Sequence, residues 1–595
     1  MSRGAIVFVA AATTAASLVS ASAQGVGLPF VPCGRPLGIR CARVSVPLDR
    51  GGTLPGTIAL YVERKPAAVA PSQGALVALA GGPGEAATAE TEAFARALAP
   101  ALRHRNLVVF DQRGTGRSGF LDCPHAAALD EQCAAEIGPA VHHYTTRDSV
   151  QDLEAVRREI GVDRIALFGV SYGTRVAQAY ASAYPEHVEF LILDSVVPVD
   201  GYDFFERSSY HAIAPALTTL CARNACGRVA PDLVADVAQL AGQARALAVT
   251  LVDPVTGAAS RKSLAPSDLA RILIYGFSFG AIERARLPSA VRSALAGDGA
   301  PLGRLYAASG GGSGRGSGRT DAYSKVLNRA TLCEEITPPW PRTASVDERL
   351  YAAQNALAAI PESAFYPLNR DAVAAGLVSA CLKWPISPIA PSTGGTPPDV
   401  PVLLLEGALD TLTPLGDAQE AASAFPHAQL LSLPGTGHEV AFSPQSQRCV
   451  RSALVRFLAH LPVKSCAPPH PAVAISPIAP TDLAGLQPWP RVPGRVGRTL
   501  HAVIETVGDV ELTNRSRSPR TGLRGGTFVA QGSTLRLNKV VYVPGVSVSG
   551  TYAPRARTGV LRVTGAGASG TIVFRKSGGI SGKLAGRPLP KGVHQ

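Results

Sequence analysis

Nowhere in the 595 residues do two cysteines stand at C-x-x-C spacing, and no histidine interleaves with them at ligand distance. A bound structural metal is therefore not expected. No glycine-rich turn ends in Gly-Lys-Ser/Thr, which argues against a phosphate loop and nucleotide binding. Past the first two dozen residues no run reaches the ~20 apolar residues that cross a bilayer, so no transmembrane helix is expected in the mature chain. Charged residues are sparse at 17%, yet 46% of the chain is apolar, which excludes a disordered protein. The length suits roughly two to four domains.

What is present begins with a targeting pattern. Arg3, the apolar run Ala5 to Val19 and the small-x-small site Ala21-Ser22-Ala23 read as a signal peptide over 1–23, the rival being an uncleaved anchor. Ten cysteines agree with export. Nearest-neighbour pairing would join Cys33 with Cys41, Cys123 with Cys133, Cys221 with Cys226, Cys449 with Cys466 and Cys333 with Cys381, although roughly nine hundred connectivities are open. Charge is unevenly placed: Arg491 to Gln595 holds 17 Lys/Arg and 3 Asp/Glu, a net of +14 within a chain whose total is +13. That segment could bind anionic cell-wall or surface polymers, or its charge could serve solubility alone. No specific nucleic-acid partner is indicated.

Between Gly74 and Pro198, strand-like and helical stretches alternate: GALVALAGGPG, TEAFARALAPALR, RNLVVFDQRGTGRSG, SVQDLEAVRREIG, RIALFGV, TRVAQAYASAYP and FLILDSVVP. Such alternation predicts a mostly parallel sheet covered on both faces. Ser149 and Asp152 suit a capping box. From 199 to 395 the pattern becomes helical, with the low-complexity SGGGSGRGSG at Ser309 to Gly318. The strand-helix theme resumes over 396–466, a linker with eight prolines spans 467–493, and 494–595 alternates like a small all-β module. The expected organisation is thus an α/β core in two parts (24–198 and 396–466), a helical cap insertion between them, and a basic C-terminal module.

Gly169-Val170-Ser171-Tyr172-Gly173 fits G-x-S-x-G, but a glycine-rich chain of this length yields roughly 0.4 chance matches. Its surroundings strengthen it: RIALFGV supplies a strand, Ser171 the turn and TRVAQAY a helix, the elbow that presents a nucleophilic serine. An acid and a base should follow in the order Ser, Asp, His. Asp410 follows the strand PVLLLEG, and His438 lies in the turn after QLLSLPG, both where a parallel sheet gathers functional loops. Asp194 competes as acid and His427 as base, but His427 precedes its strand; His104, His142 and His143 precede Ser171 in the chain and are expected at the surface. An oxyanion needs backbone donors, for which the N–H of Tyr172 and that of Gly81 or Gly82 are placed.

CARVSVPLDR, AGGPGEA, FDQRGTGRSG, GVSYGTRVAQAYASAYPEHV, LDSVVP, EGALDTLTP and GTGHE, in this order from about Cys33 to Cys466, resemble the α/β-hydrolase superfamily and, within it, secreted tripeptidyl aminopeptidase-like peptidases related to prolyl aminopeptidases. The resemblance implies Ser171 as nucleophile, Asp410 as orienting acid, His438 as base, peptide substrates, and neither metal nor organic cofactor. One departure is Ala80, which stands where the related H-G-G-P-G motif has histidine. In such aminopeptidases cap carboxylates bind the substrate's free amine, since a buried cation needs an anion; ATLCEEI offers Glu334 and Glu335. A carboxylesterase or lipase on the same scaffold and a non-catalytic polyanion-binding surface protein remain the alternatives.

Overall fold

A computed structural model describes residues 28–594 apart from 127–128, 199, 244–246, 311–321, 374–376, 392–394, 468–473, 566 and 577. The signal-like segment and most of Ser309 to Gly318 lie outside the described residues.

Strands β1 (Val31–Pro32), β2 (Arg40–Pro47), β3 (Thr57–Lys65), β4 (Ala75–Leu79), β5 (Asn106–Phe110), β6 (Ile165–Val170) and β7 (Val188–Asp194) precede the insertion. Within it, β8 (Ala248–Val252) and β9 (Ala259–Ser263) pair as a hairpin; β10 (Val402–Gly407) and β11 (Ala428–Leu433) follow. The main sheet has the order β1-β2-β3-β5-β4-β6-β7-β10-β11. It is antiparallel from β1 to β5 and parallel from β5 to β11.

The central strands are apolar throughout because both faces are covered. Side chains alternate between two buried layers: Val77 and Leu79 of β4 join one, Leu76 and Ala78 the other, and β6 divides Leu167 from Ala166 and Phe168 in the same way.

The helix Thr146–Glu159 starts earlier than Ser149, capped by Thr145 and Asp148 as a box. Asp152 is instead buried, where Arg113 of the FDQRGTG segment grips it through two 2.7 Å bonds and Arg50 adds one of 2.6 Å. A bidentate guanidinium outweighs a second cap for that carboxylate.

Among the described residues the insertion is mainly helical. Beyond it, β12 (Gly525–Gln531), β13 (Thr534–Val541), β14 (Ser547–Ala553), β15 (Thr558–Thr564), β16 (Gly570–Phe574), β17 (Gly579–Leu584), β18 (Arg587–Pro588) and β19 (Val593–His594) form a separate antiparallel sheet with its own core. A twenty-residue helix, Gly494–Thr513, precedes that sheet, and strand-like alternation downstream gave no hint of it. Its Leu500, Val503, Val507 and Val510 recur at helical spacing and face the module's core. Its outer side meets the insertion: Arg286 and Arg304 both bond Asp509, and Arg286 also reaches Thr513 Oγ1 at 2.8 Å.

All five nearest-neighbour disulfides are formed. Among the described residues no helix is long and apolar enough to cross a membrane, and no cluster could hold a metal ion.

Candidate active site

Ser171 stands between β6 and the helix Tyr172–Ala183, with φ 53° and ψ −124°. A non-glycine residue in that region is strained, and such strain clusters at functional sites. The elbow depends on its two glycines: a Cβ on Gly169 would lie 2.4 Å from the Gly173 carbonyl oxygen, and one on Gly173 2.4 Å from that of Leu79. The serine is pinned by its own N–H, which donates to Asp194 O at 2.9 Å.

Asp410 and His438 lie in the loops after β10 and β11, at the same sheet edge. His438 Nδ1 and Asp410 Oδ2 are 2.6 Å apart and fully enclosed. The aspartate also accepts from Leu412 N (2.8 Å), Thr413 N (3.2 Å) and Thr413 Oγ1 (3.0 Å). Burial alone would raise its pKa, but the imidazole and these donors hold it below the usual carboxylate range. Burial likewise disfavours the imidazolium, and Asp410 outweighs it, so the His438 pKa rises. His438 Nε2 is buried with no hydrogen-bond partner among the described residues, leaving its lone pair or proton available for chemistry.

The competing residues have other work. Asp194 is buried behind the site, where it accepts from Val440 N (3.0 Å) and Ala441 N (2.8 Å) and so braces the loop that carries His438. His427 is exposed at the opposite strand end, paired with Asp399.

Gly81 approaches Ser171 closely: a Cβ there would lie 3.0 Å from Ser171 Cβ. Gly82 has φ +107° and lines the same cavity as Ser171. Without a histidine at Ala80, this glycine loop is braced from two sides. Asp111 accepts from Thr88 N (2.9 Å) and Oγ1 (3.0 Å), and insertion residue Asn328 donates to Pro83 O at 3.1 Å. Tyr172 begins the helix, and its phenol meets Thr146 Oγ1 at 2.8 Å.

Three insertion residues that sequence reading missed hold the loops of Asp410 and His438. Ser278 O accepts from His438 N (2.9 Å), and Ser278 Oγ accepts from Thr411 N (2.9 Å). Phe279 packs edge-on against the imidazole, with ring centres 4.8 Å apart. Arg284, buried, donates to Phe277 O (2.6 Å) and Ser278 O (2.9 Å). No periodicity marks these positions; only their loop partners give them meaning.

Glu334 and Glu335 sit behind the site and do not line its cavity. Glu334 is occupied by His142 Nδ1 (3.0 Å), Arg342 Nη2 (3.1 Å) and Ser387 N (3.1 Å). Glu335 accepts from Thr146 N and Oγ1 and faces Arg175. The cavity over Ser171, about 430 Å³, is instead acidic, with Glu206, Asp417, Asp200, Asp203 and Glu420 in its wall and, among the described residues, no Lys or Arg. Asp203 is spent on Arg207 (2.8 Å). Glu206 has a left-handed backbone, φ 51°, and burial beside Asp203 pushes its carboxyl up to about 7. Burial also raises Asp417 to about 7, against one long 3.4 Å bond from Ser208.

With this geometry in hand, the known proteins that resemble the chain can be placed. Residues 74–210 match the family model described as alpha/beta hydrolase fold, and 366–465 match the one described as TAP-like protein. A tripeptidyl aminopeptidase of Streptomyces coelicolor is 28% identical over 217 residues, covering 31% of this chain and 40% of that protein, so the chain spans two-fifths of that relative's length. Serine protease Hip1 of Mycobacterium tuberculosis is 25% identical over 474 residues, 71% of this chain and 85% of that one. A proline iminopeptidase of Neisseria gonorrhoeae is 35% identical over 121 residues, 20% and 32% of the two chains. A strand-turn-helix serine, Asp410 and His438 gathered at the same edge of a mainly parallel sheet, and these two matched segments agree: the chain has the α/β-hydrolase fold, and its second segment is similar to the TAP-like family.

Proposed function

We propose that this protein is an exported serine peptidase that cleaves near the free N-terminus of short peptides. Ser171 attacks the carbonyl, His438 takes its proton and returns it to the leaving amine, and Asp410 fixes the tautomer and stabilises the imidazolium. The N–H groups of Tyr172 and of Gly81 or Gly82 receive the oxyanion, and water then releases the acyl-enzyme. The observation that carries the reading is the enclosed Asp410–His438 pair at the same sheet edge as a strained serine, which itself lines a cavity walled by acids.

In this reading Glu206 and Asp417 bind the substrate's ammonium, the role expected of Glu334 and Glu335. The latter carboxylates are committed to internal donors, whereas the former line the cavity with few partners, the state that a bound cation would relieve. Five disulfides support an oxidising destination, outside the cytoplasm.

The test is an assay of the purified protein on free and N-blocked peptide anilides and on short and long nitrophenyl esters. Preference for the unblocked anilides supports the reading. Activity confined to esters makes the protein a carboxylesterase, and none on either class leaves a polyanion-binding surface protein.

A further inference from the structure

The C-terminal module reaches the edge that carries His438 through Arg517. After the helix Gly494–Thr513 the chain turns back under the insertion, where Arg517 N donates to Glu283 Oε1 at 3.0 Å and Ser518 Oγ to the same oxygen at 3.3 Å. These contacts, next to the buried Arg286–Asp509 pair, fix the backbone at Arg517. Its guanidinium lies over Phe279, 4.5 Å from the ring centre, on the ring that packs against His438. It is exposed and makes no hydrogen bond or ion pair among the described residues. A guanidinium stacked on an aromatic ring with all its donors open suits a carboxylate, which it can grip bidentately.

The site is also polarised. The acidic cavity contains Ser171 and does not include His438 in its wall. In the acyl-transfer mechanism the base protonates the leaving amine, so the departing half of a peptide lies on the imidazole side. That is the side Arg517 overlooks. The two stacked contacts put its guanidinium carbon no more than about 9 Å from the imidazole centre. An extended peptide advances ~3.3–3.6 Å per residue, so the terminal carboxylate of a leaving group two or three residues long falls in this range. Among the described residues the charge of Arg517 reaches Glu85 and Glu439, both half-buried, and favours the ionised form of each. Removing the arginine would leave an incoming carboxylate facing these two acids.

We propose that Arg517 is a specificity-determining residue that receives the free C-terminal carboxylate of a short peptide on the leaving-group side, so that the basic module completes the peptide site. This rests on the peptidase reading above and extends it: acids for the ammonium on one side of Ser171, a cation for the carboxylate on the other.

The experiment uses the full-length protein and unblocked peptides with leaving groups of one to four residues, each made as free acid and as C-terminal amide. Wild type should favour the acid by about ten-fold or more in kcat/KM, mostly through KM, with the largest ratio at two or three leaving residues. In Arg517→Gln the acid-to-amide ratio should collapse towards one, and Arg517→Lys should keep part of it. Because the readout is a ratio within one variant, loss of folded protein cannot imitate it. A wild-type ratio near one, with unblocked anilides still preferred over blocked ones, overturns the carboxylate site and leaves the peptidase reading intact. An unchanged ratio in Arg517→Gln also overturns it. Failure to cleave any peptide removes both.

Discussion

The Asp410–His438 pair (the floor) and the acidic cavity wall (the roof) treat carboxylates in opposite ways. On the floor, Asp410 accepts from two backbone N–H groups, a hydroxyl and an imidazole, and its pKa falls despite complete burial. In the roof, Glu206 and Asp417 have little to accept from, and burial carries both up to about 7. A carboxylate saturated with donors stays charged and holds a neighbour in place. One left short of donors remains poised, and gains most when a cation arrives. In the proposed mechanism geometry belongs to the first kind and selection to the second.

The largest break in that comparison is at the floor. Ser171→Ala should lower kcat about a million-fold on every hydrolysed substrate, since members of such a triad act as a unit. Asp410→Asn should cost about 10,000-fold in kcat. The sign of its pH effect follows from the pair: Asp410 raises the His438 pKa, and the base works only when neutral, so activity is lost as pH falls through that raised value. Removing the anion lowers the pKa and should shift the acid limb of the kcat profile to lower pH.

Roof substitutions should act on one substrate class alone. Glu206→Gln and Asp417→Asn should each raise KM for unblocked peptides about ten-fold or more and leave N-blocked ones nearly unaffected. Both acids are neutral below about pH 7 and cannot pair with an ammonium there. The substrate amine itself discharges near pH ~8. The preference for unblocked over blocked substrates should therefore peak between these values, and steady-state ratios across pH would measure it.

The smallest effect on selectivity is expected at Glu334. Its Gln variant should lose about 1–3 kcal/mol of stability, because His142, Arg342 and Ser387 N lose a charged acceptor. Thermal unfolding would register that loss, while the unblocked-to-blocked ratio stays at the wild-type value.

The same division explains how much could be read in advance. The floor was legible because a parallel sheet places functional loops at strand ends: an apolar run followed by Gly-x-Ser-x-Gly, by Asp410 or by His438 can be located from one-dimensional pattern. The five disulfides followed chain proximity. The roof was not legible. Glu206 reaches the cavity through a left-handed backbone at a helix start, and Asp417 through the packing of a different helix, so no spacing links them. Glu334 and Glu335 look alike in sequence to any acid pair, and only their donors reveal the commitment. Asp152 misled for a related reason, since its partner Arg113 is 39 positions away. Ser278, Phe279 and Arg517 matter solely through what they touch in three dimensions.

The most direct measurement is covalent labelling with a fluorophosphonate, followed by peptide mapping. One adduct per chain is expected, on Ser171, formed at least a hundred-fold more slowly in His438→Ala and absent in Ser171→Ala. An adduct at another serine, or equal labelling rates with and without the imidazole, would contradict the proposed mechanism.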